Sequence, residues 1–273
     1  MKLLDNEKNI AILVNSFDGY NDLWNIFWDI FDKYWSDCPF PKYLISNELK
    51  FERDGIINIK TGKEINWFDR TIKAMELVNE EYFIFFLEDY FLSKTVNSKD
   101  ISDIVKKMKA RDIFFYRLSL RNGLPLNQSF IKLPHGTEYA ITLQLGIWKK
   151  EAFTKIIHEL HNSGCNSPWE FETYLKNNYT YCPVQEGNLQ GIRFDTKDLF
   201  GYKNAVLRGK WFPDVKKYYM QMGIDFSGSS REVIPWFQYL RYKFICFISS
   251  EFSQKKKIQL KKILTKLKIK TTI

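Results

Sequence analysis

The chain has 273 residues, enough for one large domain or two small ones with a sizeable core. Its net charge of +9 is confined to one end, because residues 240–273 hold ten Lys or Arg and one acid, while the other 239 residues hold 31 of each sign. Residues 1–239 have no net charge, which argues against a protein that coats nucleic acid without sequence preference. The four cysteines are scattered, which argues against a zinc site and against a disulfide framework.

Strand and helix patterns alternate through the first 120 residues. Apolar runs predict strands at residues 10–15, 42–46, 55–59, 82–91 and 112–120, and helical spacing predicts helices at 21–35, 67–78 and 98–109. Such alternation is typical of a parallel sheet covered on both faces. A long loop at 121–138 then precedes a strand at 139–148, a helix at 151–162, a shorter helix from Ser167 and a strand at 204–207.

The fourth predicted strand ends in two adjacent acids, Glu88 and Asp89. A strand buried on both faces ends in acids where they meet solvent, a ligand or a metal. In open α/β sheets the ligand crevice lies at the carboxyl ends of the strands, which is where this pair falls. The alternative is that the two acids only begin a solvated turn.

Several common motifs are missing from the sequence. The glycine-rich phosphate loops and the nucleophile elbow of hydrolases do not occur. His158 and His161 have helical spacing, but no metalloprotease acid stands beside them, which favours a surface helix face.

Six stretches of the chain resemble the GT-A-type glycosyltransferases of bacterial capsule and O-antigen gene clusters. They are Ser16-Phe-Asp-Gly-Tyr-x-Asp-Leu-Trp24, Trp67-Phe-Asp-Arg70, residues 81–91, Leu143-Gln-Leu-Gly-Ile-Trp148, Ser167-Pro-Trp-Glu-Phe-Glu172 and Arg208-Gly-Lys-Trp211. The resemblance covers residues 10 to about 215. It implies a GT-A-like, mainly parallel sheet flanked by helices, and sugar transfer from a nucleotide-sugar donor, a UDP-sugar in the first place.

The resemblance also implies donor contacts. Asp89 would meet the donor ribose or a divalent ion (Mn or Mg), with Glu88 as its companion. The family prefers Asp-x-Asp or Asp-Asp, so Leu87 and Glu88 leave metal dependence open. Other donor-side candidates are Ser16, Asp18, Arg70, Arg208 and Lys210.

Four of these donor-side candidates have a second interpretation. Asp18 would also form a turn beside Gly19. Arg70 would also fit an ion pair on its helix. Arg208 and Lys210 would neutralise a leaving nucleoside diphosphate, or simply form a basic surface turn.

An inverting transfer needs a carboxylate that takes the proton from the acceptor hydroxyl. Glu170 and Glu172 are the candidates, but Ser167, Pro168 and Glu170 also have the spacing of a capping box. We therefore expect Glu172 to be the base. Trp148 and Trp169 are candidates for stacking on acceptor sugars, or for packing. A retaining reaction stays open.

The residues after position 230 are aromatic and basic. Leu260, Ile263, Leu264 and Leu267 have the spacing of one helix face, with lysines around them. We expect residues 1–230 to form the catalytic domain and 231–273 to form a basic amphipathic helical tail on an anionic membrane. A solvated helix docked on the body and an RNA-binding segment are the alternatives.

The sequence thus predicts a cytoplasmic enzyme peripheral to the inner face of the cell membrane, with no signal peptide. It would extend a polyprenyl-diphosphate-linked sugar acceptor and bind no nucleic acid. The alternatives are a metal-dependent nucleotidyl- or phosphotransferase, and a non-catalytic scaffold that binds sugar or membrane.

Overall fold

Eight strands form one mixed sheet in the order β3-β2-β1-β4-β8-β6-β9-β7. The structure is a computed structural model that describes residues 9–63, 66–118, 131–132, 142–171, 192–194 and 198–251. The sheet strands are β1 Ile10–Asn15, β2 Lys42–Ser46, β3 Ile56–Lys60, β4 Tyr82–Leu87, β6 Phe115–Arg117, β7 Ile131–Lys132, β8 Gly146–Lys149 and β9 Ile192–Phe194. A short β5, Tyr90–Phe91, pairs with β10, Lys203–Asn204.

The sheet is mainly parallel, as predicted. Strand β1 lies parallel to β2 and β4, β2 lies parallel to β3, and β6 lies parallel to β9. Strand β8 runs antiparallel between β4 and β6. Asn15 of β1 is level with both Ile45 of β2 and Leu87 of β4, so the carboxyl ends of these three strands meet at one edge.

Helices cover both faces of the sheet. They are α1 Asn21–Tyr34, α2 Trp67–Leu77, α3 Ser98–Ala110 and α4 Lys150–Asn162. Helices α2 and α3 begin as their sequences predict, because Asn66 accepts a hydrogen bond from the Asp69 amide (3.0 Å) and Asn97 one from the Lys99 amide (2.9 Å).

Consecutive side chains of β4 point to opposite faces and meet different helices. Phe86 contacts Phe27 and Phe31 of α1 edge to face, with ring centroids 6.0 Å apart in both pairs. Phe85 lies in a buried cluster that includes Phe68 of α2 and Phe153 of α4. The sequence is rich in aromatic residues (8 Trp, 15 Tyr and 23 Phe), and those of β4 pack both faces of the sheet against helices.

The chain divides into two structural units. The first comprises residues 1–203 and 224–229, and the second comprises residues 204–223 and 230–273. The predicted boundary at 230/231 stays a prediction. In its described part the second unit contains a hairpin of β11 Val206–Leu207 and β12 Lys210–Trp211, and the helices α5 Pro213–Gln221 and α6 Trp236–Glu251.

None of the helices in the described ranges is long and apolar enough to cross a bilayer. The amphipathic pattern predicted for residues 255–270 lies outside the described residues.

Candidate functional site

The two acids that follow β4 lie at the carboxyl edge of the parallel strands. The strand ends at Leu87, before the acids, whereas the sequence pattern predicted one strand through Phe91. Glu88 is 6% exposed and Asp89 is half-buried. Ser16 and Asp18 follow β1 at the same edge, since Asn15 and Leu87 are paired across β1 and β4.

Burial controls the charge of Glu88. It raises the pKa of this carboxyl to about 8, and the neighbouring charge of Asp89 adds to the rise. A backbone hydrogen bond, the positive charge of Arg70 and a hydrogen bond with Ser16 act in the opposite direction. Glu88 is therefore largely protonated at neutral pH, unless a ligand brings positive charge to it.

Arg70 is a cation whose charge acts on Glu88 and is itself acted on by Glu88 and Asp18. It lies in the first turns of α2, and burial lowers its pKa, while the charges of Glu88 and Asp18 act against that shift. The guanidinium carbon lies 5.7 Å from the ring centroid of Phe17, within cation–π range. Its Nε is buried and has no hydrogen-bond partner among the described residues. Such an atom is available to a ligand.

Asp18 connects the loops that follow β1 and β2. Its carboxylate accepts hydrogen bonds from the backbone amides of Asn47 (2.9 Å), Glu48 (3.0 Å) and Leu49 (3.2 Å). Its own amide donates to Asn47 Oδ1 at 3.1 Å. Asp18 therefore holds the second loop in place at the edge of the sheet. The turn interpretation is confirmed as well, because Asp18 begins a 3-10 turn over Asp18–Tyr20 that includes Gly19. The ribose contact stays a prediction.

Ser16 is 1% exposed and contacts both Trp24 and Glu88. Its Oγ accepts a hydrogen bond from Trp24 Nε1 at 2.7 Å, and the same hydroxyl bonds with Glu88. Ser16 therefore helps to position Glu88. A direct contact with the donor stays a prediction.

Sequence reasoning missed Tyr202 and Phe17. The Tyr202 hydroxyl accepts a hydrogen bond from the Leu87 amide at 3.4 Å, and its ring stacks on Tyr90 at a centroid distance of 4.7 Å. Phe17, which carries Arg70 over its ring, is 37% exposed. No local pattern could have found Tyr202, which is 115 residues from Leu87.

Glu170 forms the predicted capping box. Its Oε2 accepts hydrogen bonds from the amides of Asn166 and Ser167, both at 2.7 Å, and from Ser167 Oγ at 2.9 Å. The bond from the Asn166 amide and those from Ser167 lower the pKa of this exposed carboxyl. A carboxylate that accepts three hydrogen bonds is a poor proton acceptor. Glu172, the other candidate base, lies outside the described residues.

The two tryptophans differ in exposure. Trp148 is 0% exposed and packs against Phe115 (4.3 Å between ring centroids) and Phe153 (5.0 Å). A ring that stacks on a sugar needs at least one open face, and Trp148 has none, so this placement favours the packing interpretation of Trp148. Trp169 is 78% exposed, in the helical segment that Ser167 caps.

Arg208 and Lys210 belong to the second unit. Arg208 lies in the turn of the β11–β12 hairpin with φ of 52°, a left-handed conformation. Lys210 forms an ion pair with Glu232 at 2.5 Å. Both cations are exposed, and Lys210 already has an anionic partner within its own unit.

The acids and histidines give no complete metal site by themselves. Within the described ranges, no three His, Cys, Asp or Glu side chains are grouped so as to hold an ion. His158 is exposed, as expected for a surface helix face, whereas His161 contacts α2: its Nε2 lies 3.2 Å from Asp69 Oδ1 and its ring stacks on Phe68. A metal that is bound partly by substrate phosphates needs only one or two carboxylates, and Asp89 as such a ligand stays a prediction.

No protein-family model matches the chain, and no curated protein matches it in sequence. The solved structures that resemble it include the following three, all at low sequence identity. The first is S. aureus TarS 1–349 in complex with UDP-GlcNAc. Its TM-score is 0.43 and its sequence identity 12%, and the match covers 91% of this chain and 69% of that one. The second is the mannosyltransferase PcManGT from Pyrobaculum calidifontis in complex with GDP-Man and Mn2+. Its TM-score is 0.43 and its sequence identity 12%, and the match covers 74% of this chain and 58% of that one.

The third is the galactosyltransferase LgtC in complex with donor and acceptor sugar analogues: TM-score 0.45, 11% identity, 82% of this chain and 97% of that one. The chain spans about three fifths of the mannosyltransferase and of another TarS 1–349 crystal structure (58% and 60%). TM-scores below 0.5 at about a tenth identity carry no argument about activity. Any activity of this chain has to be inferred from its own residues.

Proposed function

We propose that this protein is a glycosyltransferase that takes a sugar from a nucleotide-sugar donor. One observation carries the proposal: a buried carboxyl, Glu88, and its half-buried neighbour, Asp89, lie at the carboxyl edge of parallel strands, and the charge of the half-buried Arg70 acts on Glu88. This edge is where α/β sheets bind their ligands. The sequence motifs that resemble GT-A-type glycosyltransferases fall on the same residues.

The proposed site combines groups that suit a sugar nucleotide. Asp89 accepts hydrogen bonds from ribose hydroxyls or holds a divalent ion shared with the diphosphate. The unpaired Nε of Arg70 and its exposed neighbour Phe17 contact the nucleotide. Arg208 and Lys210 remain candidates for neutralising the diphosphate. A bound Mn2+ or Mg2+ would supply further positive charge to the leaving group.

The proposed reaction is an inverting transfer. Glu172 takes the proton from the acceptor hydroxyl while that oxygen attacks the anomeric carbon. The bond from the anomeric carbon to the diphosphate breaks, and the nucleoside diphosphate leaves with the bonding electrons. Trp169, whose ring is 78% exposed, is the proposed stacking surface for the acceptor sugar.

The proposed acceptor is a sugar on a polyprenyl diphosphate, extended during capsule or O-antigen synthesis. The positive charge of residues 240–273 supports a site of action on anionic lipid at the inner face of the cell membrane. In this proposal residues 231–273 recruit the enzyme to the surface on which its acceptor is anchored.

Calorimetry tests the donor part of the proposal. UDP-, GDP-, CMP- and dTDP-sugars are titrated into the full chain with and without Mn2+, and one of them, a UDP-sugar in the first place, is expected to bind. Asp89→Ala should weaken that binding at least about tenfold. The matched control is Glu81→Ala, at the amino end of the same strand, where Glu81 pairs with Lys109 at 2.8 Å.

Two outcomes would count against the proposal. A chain that binds none of the four donor classes, with or without Mn2+, is not a nucleotide-sugar transferase of this kind. If Asp89→Ala and Glu81→Ala bind the donor equally well, the ligand does not use the carboxyl edge of β4.

A further inference from the structure

Among the described residues, helix α6 has one apolar side that is exposed. Four of its large apolar side chains are exposed: Trp236 (53%), Phe237 (71%), Leu240 (60%) and Phe244 (62%). At 100° per residue these four positions lie within an arc of roughly 100°. We call this set the α6 stripe. A contiguous apolar stripe on a surface helix is typical of a contact surface.

The opposite side of α6 fixes the orientation of the stripe. Tyr239 is 3% exposed, and its ring and that of Tyr242 each lie 5.3 Å from the ring of Phe212. The Tyr239 hydroxyl donates a hydrogen bond to Asp214 of α5. Rotating the helix to hide the stripe would break these contacts. The exposure of the stripe is therefore built into the second unit.

The charge around the stripe suits an anionic partner. Arg241 and Lys243 are exposed and lie beside the two edges of the stripe on a helical projection. Residues 233–250 contain no Asp or Glu. Long basic side chains beside an apolar helix face extend toward anionic headgroups while the apolar side chains enter the lipid. Tryptophan is enriched at this depth of a bilayer.

A second copy of the chain is the less suitable occupant. Residues 240–273 carry a net charge of +9, so two stripes packed face to face would bring like charges together. An anionic lipid surface instead gains from the same charge. We infer that the α6 stripe inserts into the headgroup region of an anionic phospholipid membrane and anchors the second unit there.

This inference rests on the membrane part of the proposed function and not on its sugar-transfer part. It differs from purely electrostatic recruitment by the lysines after residue 254, because binding that depends on inserted apolar side chains survives salt better than binding by charge alone. The four side chains of the stripe, rather than the lysines, then decide affinity at high salt.

Vesicle flotation of the full chain tests the inference. Phosphatidylglycerol–phosphatidylcholine vesicles are used at 0.1 M and 0.5 M salt. The double variant Phe237→Ser/Phe244→Ser should reduce partitioning at least about tenfold at both salt concentrations. The matched control is Leu49→Ser/Leu77→Ser, which removes two exposed leucines (42% and 55%) of the first unit and should partition like the wild type.

Fluorescence quenching gives a second readout. Brominated lipids quench tryptophans that enter the bilayer, and replacing Trp236 by Phe should remove most of the quenching. Donor titration of the double variant should match the wild type, which separates failure of this inference from failure of the sugar-transfer proposal.

Three outcomes would overturn the inference. They are vesicle binding by the double variant equal to that of the wild type, no vesicle binding by the wild type, and a wild-type dimer in light scattering that the double variant abolishes. The last outcome would identify the stripe as an interface between copies of the chain.

Discussion

Arg70 of α2 and Glu88 at the end of β4 each favour the charged form of the other. Burial lowers the pKa of Arg70 and raises that of Glu88 to about 8, and their mutual attraction opposes both shifts. The attraction leaves Glu88 with a pKa still far above that of an ordinary carboxyl. The two groups act on each other through their charges and not through a direct ion pair, because no nitrogen of Arg70 lies within 4.0 Å of a Glu88 oxygen.

Arg70→Lys tests whether the guanidinium contacts the donor. Lysine keeps the charge but loses the planar fork and the stacking on Phe17, so we expect donor affinity to fall at least about tenfold. Calorimetry with the donor found for the wild type measures this. Arg53→Lys is the matched control, since Arg53 pairs with Asp29 and Asp32, both at 2.7 Å, away from the strand ends. Equal donor affinity in the two variants would contradict a role of Arg70 in the site.

The pKa of Glu88 predicts a pH-dependent stability. In the folded protein this carboxyl keeps its proton up to pH about 8, whereas an unfolded chain loses it near its ordinary pKa of 4.5. The folded state therefore binds more protons between these values, and the free energy of unfolding falls with rising pH by up to about 1.4 kcal/mol per unit there. Below this window and above it, Glu88 adds no slope.

Glu88→Gln should remove that contribution. Denaturant unfolding at pH 5, 6, 7 and 8, without divalent ions, should show the variant gaining stability relative to the wild type as the pH rises. Glu81→Gln, at the other end of β4, serves as the control and should follow the wild-type profile. A Glu88→Gln profile parallel to that of the wild type would show that Glu88 ionises like an exposed carboxyl.

The strand pattern located the edge of the sheet but not its contacts. The apolar run at 82–91 correctly identified a buried central strand with acids beside its carboxyl end, because burial on both faces leaves a continuous apolar signal. The same signal could not show that β4 stops at Leu87 and that β5 follows a turn. The aromatic residues after the turn, Tyr90 and Phe91, suit a strand and form one, so the pattern does not reveal that the chain turns at Glu88 and Asp89 between the two strands.

Long-range contacts account for what the sequence could not predict in the site. The amides that Asp18 binds are 29 to 31 residues away. The capping box of Glu170, in contrast, is local, and its spacing alone predicted the observed hydrogen bonds. The sequence also could not predict that Trp148 is buried and Trp169 exposed, because residue type does not determine whether an aromatic ring is buried.

Replacing Glu170 should affect stability, whereas replacing Glu172 should affect catalysis. Glu170→Ala removes hydrogen bonds that hold the start of a helix, so we expect a lower melting temperature and a kcat within about threefold of the wild type. Glu172→Gln removes the proposed base, and kcat should fall at least about 100-fold with unchanged melting. Calorimetric melting and a transferase assay measure both. A larger kcat loss in Glu170→Ala than in Glu172→Gln would reverse the assignment.

Trp148 and Trp169 should separate stability from acceptor binding. Trp148→Ala leaves a cavity among Phe115, Phe153 and Phe171, and should lower the free energy of unfolding by about 3–5 kcal/mol. Trp169→Ala removes a ring that is 78% exposed, so stability should change by less than about 0.5 kcal/mol. If Trp169 stacks on the acceptor, its loss should raise the acceptor KM several-fold and leave the donor KM unchanged. An unchanged acceptor KM would leave this exposed ring without a role in the reaction, and the acceptor surface would then have to be sought among other residues.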